Sequence, residues 1–246
     1  MGGRLEGQKV VVVGGTSGIG LRALYLAAEA GARGLGISRS EAKVEQARAR
    51  AKAKGLADKL SFAVGDGEDL DSLRRVLTGY GPFDHLVVSV LSPHASAMGP
   101  YRKVKASGLK EGLHKFWACC TGLDASEGLL RADGSVTFVS GSDQRKAWPG
   151  IVAHAVVGGA LNALVRTLAV ELAPMRINVI CPGPTVDGEY DAQDRPDRIT
   201  SMEPWGKRFP LQRVGQSLEV AEGIFFLMSN GYVTGTLLDV DGGASV

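Results

Sequence analysis

The glycine-rich turn after the first apolar run constrains this chain more than any other feature. Residues 10–20 read VVVVGGTSGIG, and a helical pattern follows at residues 21–30. Gly14, Gly18 and Gly20 form a G-x-x-x-G-x-G spacing, which permits a tight turn, close approach of the backbone to a pyrophosphate, and close packing of helix on strand. The helix N-terminus adds free N–H groups and a positive dipole for the phosphates. The sequence therefore predicts a strand–turn–helix unit that binds a dinucleotide.

The rest of the chain alternates short apolar runs with helical patterns, as in an α/β fold. Because the alternation is unbroken, we predict a doubly wound parallel sheet of about seven strands with helices on both faces, a Rossmann fold. The predicted strands after the first lie at residues 34–37, 60–64, 86–90, 136–139, 177–180 and 237–240.

The end of the second predicted strand indicates which cofactor the fold prefers. In dinucleotide folds an acidic residue at this point bonds the ribose 2′-OH, whereas an arginine favours a 2′-phosphate. Here Ser38 holds the acidic position, and Arg39 and Ser40 follow it. The sequence therefore favours NADP(H) over NAD(H).

Four ordered motifs over essentially the whole chain resemble the short-chain dehydrogenase/reductase family. They lie at residues 14–20, at Asp66 after the third strand, at residues 176–183, and at residues 233–243, which contain VTG and VDGG. The resemblance implies one Rossmann-type domain, a nicotinamide cofactor across the carboxyl edge of the sheet, and a homodimer or homotetramer. By position, it implies that the cofactor-binding residues are Gly14, Thr16, Ser17, Gly18, Ile19, Gly20, Ser38, Arg39, Ser40, Asp66, Gly67, Ser89, Pro182, Gly183 and Thr185.

The catalytic residues of that family are replaced. By position, the serine falls on Gly141, the tyrosine on His154, the lysine on Gly158, and the asparagine of the preceding helix on Lys115. The family's Asn-Asn-Ala-Gly after strand four becomes VSVL at residues 88–91, whose larger side chains are expected to crowd the cofactor ribose. The tyrosine normally protonates an alkoxide, and loss of a general acid costs on the order of 10²–10⁴ in rate.

Three kinds of side chain are candidates to refill the catalytic site. His154 has an ordinary pKa of about 6.5 and could donate a proton near neutral pH, although a lone histidine is also common in a structural role. Ser140 and Ser142 flank Gly141 and could supply a hydroxyl or satisfy backbone groups instead. Lys115 could point into the site or out to solvent, and its basic neighbours favour solvent. No metal-ligand spacing is present among the histidines and three cysteines.

A cationic electrophile suits a site without tyrosine and lysine. An iminium carbon needs no acid at the reacting atom, and replacing lysine by glycine removes a repelling charge. We therefore predict an NADPH-dependent reductase of an iminium or hemiaminal centre in a small molecule. Ketone reduction with His154 as acid, a non-redox cyclase or isomerase, and an NADP(H)-binding pseudoenzyme remain alternatives.

Residues 184–210 are the expected substrate lid, because they form the only long segment without predicted structure. The first part of this segment has a net negative charge, since Arg195 and Arg198 are outnumbered by Asp187, Glu189, Asp191, Asp194 and Asp197.

Composition bounds the remaining interpretation. The chain has 246 residues with 44% apolar and 22% charged residues, which suits a single domain over residues 1–246. Its net charge of +2 gives no case for nucleic acid. No targeting segment precedes the first strand and no apolar run suggests a membrane span, so we expect a cytoplasmic enzyme without nucleic-acid or membrane partners.

Overall fold

A seven-stranded parallel sheet forms the centre of the molecule. The computed structural model describes residues 4–90, 97–189, 191 and 196–246. The strand order is β3-β2-β1-β4-β5-β6-β9, with every adjacent pair parallel. The chain order reverses between β1 and β4, and ligands of open α/β sheets bind at such a point. The strands are β1 (Lys9–Val13), β2 (Arg33–Ser38), β3 (Leu60–Val64), β4 (Phe83–Val88), β5 (Leu130–Val139), β6 (Arg176–Pro182) and β9 (Leu237–Val240), and β7 (Thr185–Val186) with β8 (Gly215–Gln216) forms a separate pair.

Helices cover both faces of the sheet, so the inner strands bury both of their sides, while the edge strands β3 and β9 are only partly buried. One apolar core lies between the sheet and the helices α1, α2 and α8, and the other lies between the sheet and α3, α5 and α6. This arrangement confirms the predicted Rossmann fold and explains why the strands read as continuous apolar runs. The helices are α1 (Gly18–Glu29), α2 (Glu41–Ala53), α3 (Leu70–Tyr80), α4 (Tyr101–Gly112), α5 (His114–Ala125), α6 (Val152–Glu171), α7 (Pro196–Gly206) and α8 (Ser217–Ser229).

Two sequence predictions differ from the structure in the regions that surround the site. Strand β4 ends at Val88, two residues earlier than predicted, so Ser89 and Val90 lie beyond the strand. The 184–210 segment is not irregular throughout, because it contains β7 and the eleven residues of α7. Helix α7 includes Pro204 and has a mixed composition, which hid its periodicity. Leu91, Asp194 and Arg195 lie outside the described residues.

Helix α6 is more apolar than the sequence analysis anticipated. Among the described residues it is the helix whose length and composition would allow a membrane span. Its buried residues, which include Val157, Leu161 and Val165, belong to the core beside α5 and β6. The buried side of the helix is therefore a core element of the α/β layers, and packing explains the apolar residues there, whereas Val156 and Val170 are exposed.

Candidate active site

The turn between β1 and α1 has the geometry that phosphate binding requires. Gly14 has φ +83°, and a Cβ atom added there would lie 2.3 Å from the Ser89 carbonyl oxygen. Gly18 has φ +51°, and a Cβ atom at Gly20 would lie 2.4 Å from the Gly14 carbonyl oxygen. Ser17 is the N-cap of α1 without a side-chain cap bond, and the first turn holds no acidic residue. The N–H groups at this helix end can therefore receive a phosphate.

The residues predicted for the adenosine end lie at the carboxyl ends of β2 and β3. The Ser38 hydroxyl accepts a hydrogen bond from the Ser40 amide, and Ser40 caps α2 by accepting from the Lys43 amide, both at 3.3 Å. Arg39 is exposed between them. The Asp66 carboxylate accepts from the Glu68 amide at 3.0 Å, and Gly67 is buried beside it. The two serines thus hold the loop, and Arg39 projects from it.

The predicted nicotinamide end is a tight turn after β6. The Gly183 amide donates to the Val240 carbonyl at 3.1 Å, and the Thr185 hydroxyl donates to the Gly183 carbonyl at 2.8 Å. A Cβ atom at Gly183 would lie 2.8 Å from the Asp241 Cα atom, so this position accepts only glycine without a shift. Pro182 ends the strand beside it. The turn is fixed by its own contacts and lies at the same edge of the sheet as the phosphate turn.

The short 3₁₀ turn after β5, Ser142–Gln144, enters the space beside the serine and lysine positions. A Cβ atom at Gly141 would lie 3.1 Å from Asp143 Oδ2, and one at Gly158 would lie 2.8 Å from Gln144 Cβ. Gln144 is held by donation from its Nε2 to Cys181 Sγ at 3.4 Å. The turn must therefore move before residue 158 can carry a side chain.

Asp143 is the functional candidate that the sequence analysis missed. Its Oδ2 lies 3.7 Å from Nδ1 of His154, an ion-pair distance rather than a hydrogen bond, and their side chains are 36% and 32% exposed. Burial raises the pKa of Asp143, while the charges of His154 and Lys115 oppose this shift. The two side chains form a partly solvated acid–base pair at the position that the sequence analysis predicts to match the family's tyrosine. An acidic residue two positions after Gly141 was the available signal.

Lys115 points inward, contrary to the preference for solvent in the sequence analysis. Its Nζ donates to the Ser140 carbonyl oxygen at 2.9 Å. Burial lowers the pKa of Lys115, against the opposing influence of Cys119, Asp143 and Cys181. An amine from α5 therefore lies beside the turn after β5. This offsets the argument that the site has lost a charge that repels cations.

The serines beside Gly141 are buried, and their backbone groups are in use. The Ser140 amide donates to the Ile180 carbonyl at 2.8 Å, and the Ser142 carbonyl accepts from the Arg145 amide at 3.0 Å. These bonds fix the turn that positions Asp143. A hydroxyl contribution to chemistry stays a prediction for both serines.

The acidic residues at 187–191 face other parts of the chain. Asp187 and Glu189 both accept from Arg22 on α1, and the Asp191 carboxylate lies 3.5 Å from Arg198. Asp187 and Asp191 are buried. The expectation of an acidic cover for a cationic substrate is therefore wrong for Asp187 and Asp191, which are buried beside arginines, while Glu189 is 45% exposed.

Comparison with known proteins shows which class of protein this fold and site belong to. Residues 13–245 match the family model described as enoyl-(acyl carrier protein) reductase. The short-chain dehydrogenase/reductase ATR9 of Stachybotrys chlorohalonatus is 32% identical over 98% of both chains. The chain belongs to the short-chain dehydrogenase/reductase family, a family of oxidoreductases.

Two solved structures are similar over nearly the whole chain. One is an NADPH-bound short-chain oxidoreductase of Pseudomonas aeruginosa, described as containing an atypical catalytic center, with 27% identity, TM-score 0.85, and coverage of 97% of this chain and 96% of that one. The other is the MalC reductase/Diels-Alderase of Malbranchea aurantiaca, with 24% identity, TM-score 0.84, and coverage of 98% and 96%. The second likeness supports the fold.

Proposed function

We propose that this protein is an NADPH-dependent reductase of iminium centres, or of hemiaminals that dehydrate to them, in a small molecule. The observation that carries the proposal is the placement of a carboxylate and an amide where a serine and a lysine would act. Asp143 lies over Gly141, and Gln144 lies against Gly158. A site of this composition lacks the tyrosine–lysine acid needed to protonate an alkoxide, and it offers a negative group to a cation.

The cofactor part of the proposal rests on residues that suit a dinucleotide. The phosphate turn would hold the pyrophosphate, Arg39 the 2′-phosphate, Asp66 the adenine, and Thr185 the nicotinamide end. The relative from Pseudomonas aeruginosa was solved with NADPH, which supports the same choice for this chain. Bound NADPH would supply the hydride.

The chain's own residues would act on the carbon–nitrogen group. Asp143 would bind the cationic group by charge, and because burial already raises its pKa, the carboxylate gains by pairing with a cation. His154, held 3.7 Å away, would orient the substrate and protonate the hydroxide that leaves a hemiaminal. Protonation of the hemiaminal hydroxyl group by His154 releases water and leaves an iminium ion. Lys115 would keep the β5 turn in place through the Ser140 carbonyl.

A second candidate, ketone reduction with His154 as the general acid, is favoured by a specific contact. A carboxylate 3.7 Å from an imidazole stabilises its protonated form, and this form could protonate an alkoxide. The two candidates differ in how much they need His154, because an iminium yields an amine without protonation at the reacting nitrogen.

The test is NADPH oxidation with cyclic iminium ions, hemiaminals and matched ketones, using the parent, His154→Ala and Asp143→Asn. We expect turnover of iminium substrates, a modest loss in His154→Ala, and a raised KM for cations in Asp143→Asn. Turnover confined to ketones and lowered about 10²–10⁴-fold by His154→Ala would replace the first candidate by the second. Tight NADPH binding with no oxidation of any substrate would favour a cyclase, an isomerase or a pseudoenzyme.

We also propose that the enzyme is a cytoplasmic homodimer or homotetramer, with the 184–210 segment as its substrate lid. Apolar residues of α5 and α6 and the residue after α6 support the assembly, because Trp117, Val156, Val170 and Leu172 are between 37% and 79% exposed. A second copy would cover this apolar face. Light scattering should give a mass of at least twice 25.8 kDa, and a stable monomer at micromolar concentration would contradict the proposal.

A further inference from the structure

The start of the 184–210 segment is joined to the helix that follows the phosphate turn. Arg22 lies on α1, two residues after Gly20. Its Nε donates to Asp187 Oδ2 and its Nη2 to Asp187 Oδ1, each at 2.9 Å. This is a bidentate pair, the strongest geometry for an arginine and a carboxylate. It connects residues 165 positions apart in the chain.

Asp187 is buried at 3% exposure, and it accepts from the Arg22 guanidinium and also, through Oδ1, from the Glu189 amide at 3.2 Å. The Arg22 guanidinium also donates to Glu189 Oε2 at 2.9 Å, but Glu189 is 45% exposed and can be solvated. Hydrogen bonding to Asp187 is the largest cause of a raised pKa for Arg22. Of the two carboxylates, Asp187 is therefore the one whose buried negative charge most needs the pairing with Arg22.

Further hydrogen bonds fix residues 185–189, which we call the base of the segment. The Asp187 amide donates to Asp191 Oδ2 at 2.8 Å, and the Ser217 hydroxyl at the start of α8 donates to the Val186 carbonyl at 3.4 Å. Asp187 thus fixes the backbone that follows β7 at the same time as it binds α1. When the pair with Arg22 breaks, the base loses its bidentate contact with α1.

The base also lies directly against the phosphate turn. Gly18, Arg22, Tyr25 and Asp187 are among the residues that line one cavity of about 10 Å³, which is room for about one water molecule. A Cβ atom at Gly18 would lie 3.9 Å from the Ser217 hydroxyl. A phosphate group at the turn therefore has the base of the segment as its neighbour.

From these contacts we propose that the Arg22–Asp187 pair is a latch that holds the base of the 184–210 segment on the phosphate turn and sets how fast the cofactor binds and leaves. The rate part of the proposal rests on NADPH being the cofactor, as proposed above. Because the pair holds the base of the segment beside the phosphate turn, opening the pair would free this side of the turn for binding as well as for release. Weakening it should therefore raise both rates together, with little change in affinity.

Stopped-flow fluorescence of NADPH gives both rate constants. We expect Arg22→Gln and Asp187→Asn each to raise the association and dissociation rates about tenfold, with Kd changed by less than threefold. Arg22→Lys, which keeps the charge but loses the bidentate geometry, should lie between these variants and the parent. Glu189→Gln is the matched control, because it removes the exposed partner of the same guanidinium, and it should change either rate less than twofold.

Hydrogen exchange of the cofactor-free protein tests the latch without NADPH. The amides of Val186, Asp187 and Gly188 should exchange at least tenfold faster in Arg22→Gln and at the parental rate in Glu189→Gln. Unchanged exchange would overturn the latch. So would faster dissociation without faster association, because the pair would then be an ordinary part of the binding site. If the parent fails to bind NADPH, the proposed function fails, and the exchange result alone decides whether the pair holds the segment.

Discussion

Two glycine-containing turns at the carboxyl edge of the sheet, one after β1 and one after β5, differ in why glycine is present. At Gly14 the backbone itself demands it, since φ is +83° and a Cβ atom would lie 2.3 Å from a carbonyl oxygen. Near β5 the neighbours of Gly141 and Gly158 are side chains, Asp143 and Gln144. In the first turn glycine is required by the backbone conformation, whereas near the second turn glycine leaves space that the side chains of Asp143 and Gln144 occupy. The first turn thus has the geometry to bind a phosphate, and the second carries the side chains that we propose act on the substrate.

The comparison predicts that Gly14→Ala has the largest effect of the changes below. An alanine there combines a left-handed conformation with a clash against backbone, so the free energy of unfolding should fall by about 3 kcal/mol, and NADPH affinity should fall at least about tenfold. Urea unfolding and calorimetry measure the two effects. Gly159→Ala is the control, because nothing lies within 4 Å of its Cβ position. A Gly14→Ala protein with parental stability and affinity would show that the first turn is no more constrained than the second.

The second turn should tolerate a side chain once its occupant is removed. Gly158→Ala should destabilise the protein by about 1–2 kcal/mol through overpacking against Gln144. In the Gln144→Gly background, which removes the Cβ atom 2.8 Å away, the same change should be neutral or stabilise by up to about 1 kcal/mol, because alanine favours a helix over glycine. A double-mutant cycle from urea unfolding gives the coupling, and additive effects would mean that Gln144 does not occupy this space. Gly159→Ala, on the adjacent helical position, should gain stability in both backgrounds.

Arg39 tests whether the cofactor half selects NADPH. Arg39→Ala should reduce the ratio of NADPH to NADH affinity about tenfold, because a guanidinium pairs with the 2′-phosphate. Calorimetry of both cofactors measures this ratio. Arg33→Ala removes an equal charge at the opposite end of β2 and should leave the ratio unchanged. Equal affinities of the parent for both cofactors would show that Arg39 takes no part.

Asp143→Asn should have the smallest effect on stability, and its sign depends on pH. Burial raises the pKa of Asp143 in the folded state above its ordinary value of 3.8, so the folded protein binds more protons than the unfolded chain just above pH 3.8. The parent therefore loses stability as the pH rises through the folded-state pKa. The variant lacks this penalty.

We expect Asp143→Asn to be more stable than the parent at pH 7, by less than about 1 kcal/mol because the carboxylate is partly exposed, with the difference vanishing below pH 3.8. Urea unfolding at pH 7 and near pH 3.5 checks this. A variant less stable than the parent at pH 7 would mean that attraction to His154 and Lys115 outweighs the cost of burial. The carboxylate would then contribute to folding, and the contrast between the two turns would weaken.

The sequence was sufficient for the fold and for the order of the motifs because these depend on local rules. The apolar runs and the glycines at 14, 18 and 20 predicted the strands and the phosphate turn, and β3 and β9 have the predicted bounds. Strand ends were less accurate at β4, since apolar residues continue past the last ladder hydrogen bond. Helix α7 was missed because its pattern includes an internal proline. Matching by position predicts that His154 and Gly158 stand at the family's tyrosine and lysine positions, and this stays a prediction.

Only the tertiary structure decided which side chains lie against Gly141 and Gly158 and which residues form salt bridges. Asp143 and Gln144 reach Gly141 and Gly158 through the packing of a 3₁₀ turn against α6, which no local pattern encodes. The acidic residues after β7 read as an exposed cover in sequence, yet Asp187 pairs with an arginine 165 positions away. Such contacts depend on where the sheet brings distant elements together. The sequence by itself therefore determined the scaffold, while packing determined which side chains lie against Gly141 and Gly158.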